Sequence, residues 1–158
     1  MAHPLVRRSA AAVLVVVLVL FAPACGIPRD PDRTLDRVTG ATLRVGASPH
    51  EGLVIVDDGV VSGSLATLIE GFADDRDAEI EWTVDSEEGL VDRLERGSLD
   101  LAIGGMTDAT PWGDRVSVTR GYPDLAGSAG SNIVVLLPMG ENALQAALET
   151  YLDREARP

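Results

Sequence analysis

The stretch Leu94-Glu95-Arg96-Gly97-Ser98-Leu99-Asp100-Leu101-Ala102-Ile103-Gly104-Gly105-Met106-Thr107 contains the end of a helix, a buried strand and a ligand-type turn in immediate succession. Arg93 and Arg96 suit the negative end of a helix, and Gly97 suits the left-handed residue that stops it. Leu99 to Ile103 then reads as a strand. Gly104-Gly105 ends that strand where the backbone can pass close to a neighbour or a ligand. A helix running directly into a buried strand is the second half of a βαβ crossover, the connection that parallel strands require.

The flanking sequence supplies the rest. Leu90, Val91 and Leu94 form the apolar side of that helix, and Asp85 with Glu88 has capping-box spacing at its start. Glu79–Val84 and Thr42–Ala47 alternate as strands. Leu65, Leu68, Ile69 and Phe72 keep the i, i+3, i+4, i+7 spacing of an amphipathic helix over about 64–74. Leu53–Val56 and Val60-Val61 flank Asp58-Gly59 as a small hairpin. Downstream come a β-prone Val116–Thr119, a Gly/Ser-rich loop at 124–131, and an apolar strand Ile133–Leu137 stopped by Pro138. The closing helix has Asn142 as its expected N-cap and an apolar face of Leu144, Ala147, Leu148, Tyr151 and Leu152. Strands alternating with helices define an α/β domain with a mostly parallel sheet. Leu68, Phe72, Leu94, Ile103, Val135 and Leu148 are expected in its core. Ligands of such sheets bind beyond the carboxyl ends of the strands. Here those ends are Ser48-Pro49-His50 and Gly104–Thr107, which should open on one edge.

The N-terminus reads as an export signal. Arg7 and Arg8 precede an apolar run from Ala10 to Ala22, followed by Pro23-Ala24-Cys25. Thirteen apolar residues rise only ~20 Å as a helix, too short to cross a bilayer. A short apolar core after a positive start and before small residues is the pattern of a secretory signal. Cys25, the one cysteine of the chain, follows those small residues and resembles the lipobox of bacterial lipoproteins, although Ala22 replaces the usual leucine. The resemblance implies a signal peptide over 1–24, a lipidated Cys25, and placement on the extracytoplasmic face of a bacterial membrane. Ordinary cleavage leaving a free thiol is the alternative. Residues 25–40, with two prolines and no periodicity, read as a flexible tether, and the fold is expected from 41 to 158.

The charge balance narrows function. The 158 residues carry 25 acids and 13 basic residues, all arginine, for a net charge of −12. Removing residues 1–24 takes away two arginines and no acid, leaving 11 against 25, a net −14. Such a surface does not bind nucleic acid, and it is repelled by anionic lipid, so membrane contact would come from acyl chains. The histidines, His3 and His50, and one cysteine offer no metal-binding cluster. No nucleophile elbow or phosphate loop is present. Binding rather than catalysis is expected, with no cofactor.

Thr42–Gly46, Gly59 and Gly63 before the first long helix, and Leu94–Thr107 resemble family 3 extracellular solute-binding proteins, the receptors of amino-acid ABC importers. Val116-Ser117-Val118-Thr119-Arg120-Gly121-Tyr122-Pro123 is similar to that family's strand ending in Pro-Tyr, with the dipeptide reordered. Met139-Gly140-Glu141-Asn142-Ala143-Leu144 is similar to the start of its closing helix. The resemblance implies a periplasmic-binding-protein-like II lobe, with helices on both faces of a mostly parallel sheet, and a small polar solute as ligand. Three departures stand out. Only residues 124–131 lie where the family inserts a second lobe, so one lobe is expected. The family's carboxylate-binding arginine falls at Trp112, with Arg115 three residues later. Thr67 replaces an acid in the first long helix.

The candidate ligand residues are His50, Gly105, Thr107 and Trp112. His50 is a loop residue that either contacts ligand or is merely solvated. Gly105 admits either a ligand or a neighbouring element. Thr107 either donates to ligand or caps the following turn. Trp112, after Pro111, is either a stacking surface or a lid over the core. Without a cation for a carboxylate, the ligand is expected to be neutral or cationic. The partner is a small polar solute, with importer subunits beside it, or alternatively a protein docking on the strand-end face of a scaffold lipoprotein.

Overall fold

The computed structural model describes residues 30–156. Cys25 and the signal segment lie outside the described residues. In chain order the elements are α1 (Thr34–Val38), β1 (Thr42–Ala47), β2 (Ile55–Asp57), β3 (Val60–Ser62), α2 (Ser64–Asp74), β4 (Glu79–Val84), α3 (Glu87–Glu95), β5 (Leu101–Ile103), β6 (Ser117–Val118), β7 (Leu136–Leu137) and α4 (Asn142–Glu155).

Five strands form one sheet in the order β4-β1-β5-β7-β6, and β2-β3 is a separate hairpin. β1 pairs in parallel with β4 from Thr42↔Glu79 to Ala47↔Val84, and with β5 from Val45↔Leu101 to Ala47↔Ile103. β7 is antiparallel to both β5 and β6. Four strands therefore run one way and β7 alone runs back. This is the expected α/β architecture.

Strand alternation distributes the core to two faces. Leu43, Val45, Leu101, Ile103, Val135 and Leu137 pack with Leu65, Ile69, Phe72, Leu144, Leu148 and Leu152 of α2 and α4. Ala102, Val134 and Leu136 point the other way, onto Leu90, Val91 and Leu94 of α3. Gly46 makes that second contact close, since a Cβ there would lie 2.6 Å from Leu90 Cδ2 and 2.7 Å from Leu99 Cδ1. Gly97 ends the helical stretch with φ 67°, the left-handed conformation its position calls for.

Some expectations are corrected. Leu68 is half-buried at the rim of the core, not inside it. Ser86, not Asp85, caps α3: its side chain accepts from the Gly89 amide at 3.2 Å. Asp85 instead accepts from the Ser86 amide and from Arg93. Asn142 is the first residue of α4, and Glu141 precedes it. Residues 34–38 are not tether. They form α1 with Thr34 and Val38 buried. α1 is too short to hold itself; distant residues hold it. Glu141 accepts from the amides of Asp32 at 3.1 Å and Thr34 at 3.2 Å. Asp100, 1% exposed, pairs with Arg37 at 2.5 Å and Arg44 at 2.6 Å.

Candidate functional site

The carboxyl ends of β1 and β5 are joined directly, because the Ser48 amide donates to the Ile103 carbonyl at 2.9 Å. The two predicted loops therefore open on the same edge. Within the first, the His50 backbone pairs with Val54 in a tight turn, its amide donating to Val54 O and its carbonyl accepting from Val54 N. That turn projects the exposed His50 ring onto Gly105, which has no room for even a methyl group on that side. His50 Nδ1 lies 3.1 Å from the Glu51 carbonyl. A carbonyl only accepts, so in the neutral ring Nδ1 carries the hydrogen and Nε2 is left as an acceptor.

Thr107 is half-buried and bridges Ile133, so the β7 strand extends this edge. Its carbonyl accepts from the Thr110 amide at 2.9 Å, which closes the turn by backbone alone. The Thr107 hydroxyl makes no hydrogen bond among the described residues. Beside it Asp108 is held by Asn132, whose side-chain amide donates at 2.8 Å. His50, Gly105 and Thr107 thus converge on one edge, with Glu51 and Asp108 next to them in the chain.

Trp112 is placed differently. It packs with Leu90, Val91, Met106 and Val116 in the α3-side core, and Arg115 covers its ring with the guanidinium carbon 5.6 Å from the centroid. The stacking surface expected at Trp112 is occupied by the protein's own arginine, and the indole Nε1 is buried without a partner. Arg115 is also spoken for by carboxylates, bonding Asp92 at 2.7 Å and Glu95 more closely still. Its hydrogen bond holds the Glu95 carboxyl below the usual range. All nine arginines among the described residues are ion-paired, at positions 33, 37, 44, 76, 93, 96, 115, 120 and 154. No unpaired cation is available there for an anionic ligand.

Sequence reasoning missed the role of residues 124–131. Leu125 is buried, and Ser128 bonds the Pro123 carbonyl at 2.5 Å and receives the Gly130 amide. Ser64 at the start of α2 donates to the Gly52 carbonyl at 3.0 Å and to that of Ala126. The loop folds onto the β1–β2 connection as a built closure. Its small residues are the one sequence signal, since Gly52 and Gly127 pass backbone against backbone. A groove of about 560 Å³ lies beside it, lined by Gly63, Ser64, Thr67, Leu68, Leu125 and Ala126 among others.

The edge and the sheet order define the fold of a periplasmic-binding-protein domain 1. Among solved structures, a variant of the arginine-bound form of domain 1 from TmArgBP superposes with a TM-score of 0.67 at 22% identity, over 77% of this chain and 97% of that one. The ancestral amino-acid-binding protein AncCDT-1, a precursor of cyclohexadienyl dehydratase, gives 0.65 at 15% identity, over 77% and 92%. An arginine-specific periplasmic binding protein of Salmonella typhimurium gives 0.62 at 12% identity, over 73% and 93%. These neighbours are amino-acid-binding proteins, and at such identities the likeness is one of fold. No protein-family model and no curated protein matches the sequence.

Proposed function

We propose that this protein is an extracytoplasmic solute-binding lobe, held to the membrane through lipidated Cys25, that takes a small polar solute of neutral or cationic net charge. It works beside an importer or as a sensor. The carrying observation is the charge state of the strand-end edge. His50 Nε2, the Gly105 backbone and the Thr107 hydroxyl offer hydrogen bonds, Glu51 and Asp108 add negative charge, and no arginine among the described residues is free. A carboxylate brought there would lack the bidentate partner that such recognition uses. An amine, a guanidinium or a neutral polar group fits. The superposition with an isolated, arginine-bound domain 1 supports a single lobe as a sufficient holder. Binding is favoured over catalysis because His50 faces a backbone carbonyl through Nδ1, not the carboxylate that would make it a strong base.

Thermal shift tests the reading with arginine, its decarboxylated form agmatine, and glutamate. Agmatine should raise Tm at least as much as arginine, and glutamate should leave it unchanged. Ligand at ten times its Kd adds about 1.4 kcal/mol, a measurable shift. Stabilisation by glutamate would overturn the ligand class, and no response to any polar solute would favour a protein partner on the same face. For the anchor, wild type should partition with membranes and Cys25→Ser should not. Equal fractionation removes the lipoprotein assignment.

A further inference from the structure

Glu141 is an acid only 1% exposed, and its side chain caps no amide of the helix it precedes. Both of its oxygens turn to the segment leading into α1, accepting from the Asp32 and Thr34 amides. The Thr34 amide has a second acceptor, Asp30 Oδ1 at 3.3 Å. Two carboxyl groups, 111 positions apart in sequence, therefore converge on one N–H. Ionised carboxylates only accept, and two of them over one donor repel, so the arrangement favours a proton on one of the pair. We propose that the strap formed by residues 30–36 is a proton-operated latch: a proton shared by Asp30 and Glu141 holds the strap on the domain, and its loss to solvent releases it.

The surroundings set the direction. Burial, the hydrogen bond with Glu141 and the charge of Glu141 push the Asp30 carboxyl up to about 6, against the opposing pull of the Thr34 amide. Burial acts upward on Glu141 too, but bonds from Asp30 and from the Asp32 and Thr34 amides outweigh it and hold Glu141 below the ordinary range. Asp36 on α1 adds negative charge, while its partner Arg33 points to solvent. From α4 the strap is met by Glu141 alone among charged groups of its first two turns, since Leu144, Gln145 and Leu148 follow. On the other side Asp32 lines a pocket with Glu95, Arg96 and Arg115, and the Arg37–Asp100–Arg44 cluster lies at the far end of α1.

A carboxyl raised on folding contributes stability that is complete below its unfolded value, 3.8, and is lost as pH rises through about 6. The latch is closed near pH 5. Above 6 both groups are ionised over a single amide, and their repulsion opens it. Arg37, still paired with Asp100, is the hinge. The seven residues freed add up to ~23 Å of reach at ~3.3 Å per residue to the chain that enters from residues 1–29.

Hydrogen exchange on the full chain, corrected for intrinsic rates, tests the latch. Protection at Asp32–Thr34 should fall ~10-fold from about pH 5 to about pH 7.5, while Leu101–Ile103 in β5 stays constant. Asp30→Asn donates permanently to Glu141 and should keep the strap protected at both pH values. Glu141→Gln, which donates to Asp30, should likewise abolish the pH dependence and stands in if Asp30→Asn fails to fold. Unchanged wild-type protection, or a pH response that survives in both variants, would overturn the proposal.

Discussion

The His50 imidazole rests on Gly105, the first loop of the strand-end edge lying against the last residue before Met106 and Thr107. Gly105 is thus where the geometry of that edge can be tested with least damage elsewhere. Its φ is not in the left-handed region, so alanine is tolerated by the backbone, and the exposed His50 ring can swing aside. Gly105→Ala should change stability by less than ~1 kcal/mol. It should weaken solute binding by roughly tenfold, or about 1.4 kcal/mol, measured by calorimetry. Unaltered affinity would remove His50 and Gly105 from the site.

Trp112→Ala separates packing from recognition. With the ring in the α3-side core under Arg115, its loss should cost about 2–4 kcal/mol, part of the penalty of a fully buried aromatic. Melting temperature and solute affinity report the two roles independently. A variant that melts normally but fails to bind would return Trp112 to the ligand.

Asp100 ties α1 to the sheet. Burial alone would raise its carboxyl, but hydrogen bonds from Arg44 and Arg37 outweigh this and hold it below the ordinary range. A depressed carboxyl contributes stability present above its unfolded value, 3.8, and lost as pH falls through the lower folded one. Wild type should therefore destabilise in acid below about pH 4. Asp100→Asn should cost about 2–3 kcal/mol near neutrality, less than a fully buried pair because both arginines are partly exposed. Denaturant unfolding against pH checks both, and the variant should show a shallower acid limb.

Leu148 is wholly buried between α4 and the sheet. Leu148→Ala should cost about 2–5 kcal/mol, enough to leave a marginal domain partly unfolded at growth temperature. A melting temperature equal to wild type would mean that α4 does not close this core.

The amino-acid order alone determined the α/β alternation, the strand-end loops and the buried faces of α2, α3 and α4, because each is written in local periodicity. Leu65, Ile69 and Phe72 recur at helical spacing, and Leu43 and Val45 at strand spacing, whatever surrounds them. Only the tertiary structure decided α1, whose five residues have no stabilising pattern of their own and depend on Glu141, 107 residues from Thr34, and on Asp100, 63 from Arg37. It decided likewise that Arg115 is consumed by Asp92 and Glu95 and lies over Trp112, and that residues 124–131 close onto Gly52 and Ser64. Buried polar groups take whatever partner the fold brings within about 3 Å, and a sequence read residue by residue carries no record of that distance.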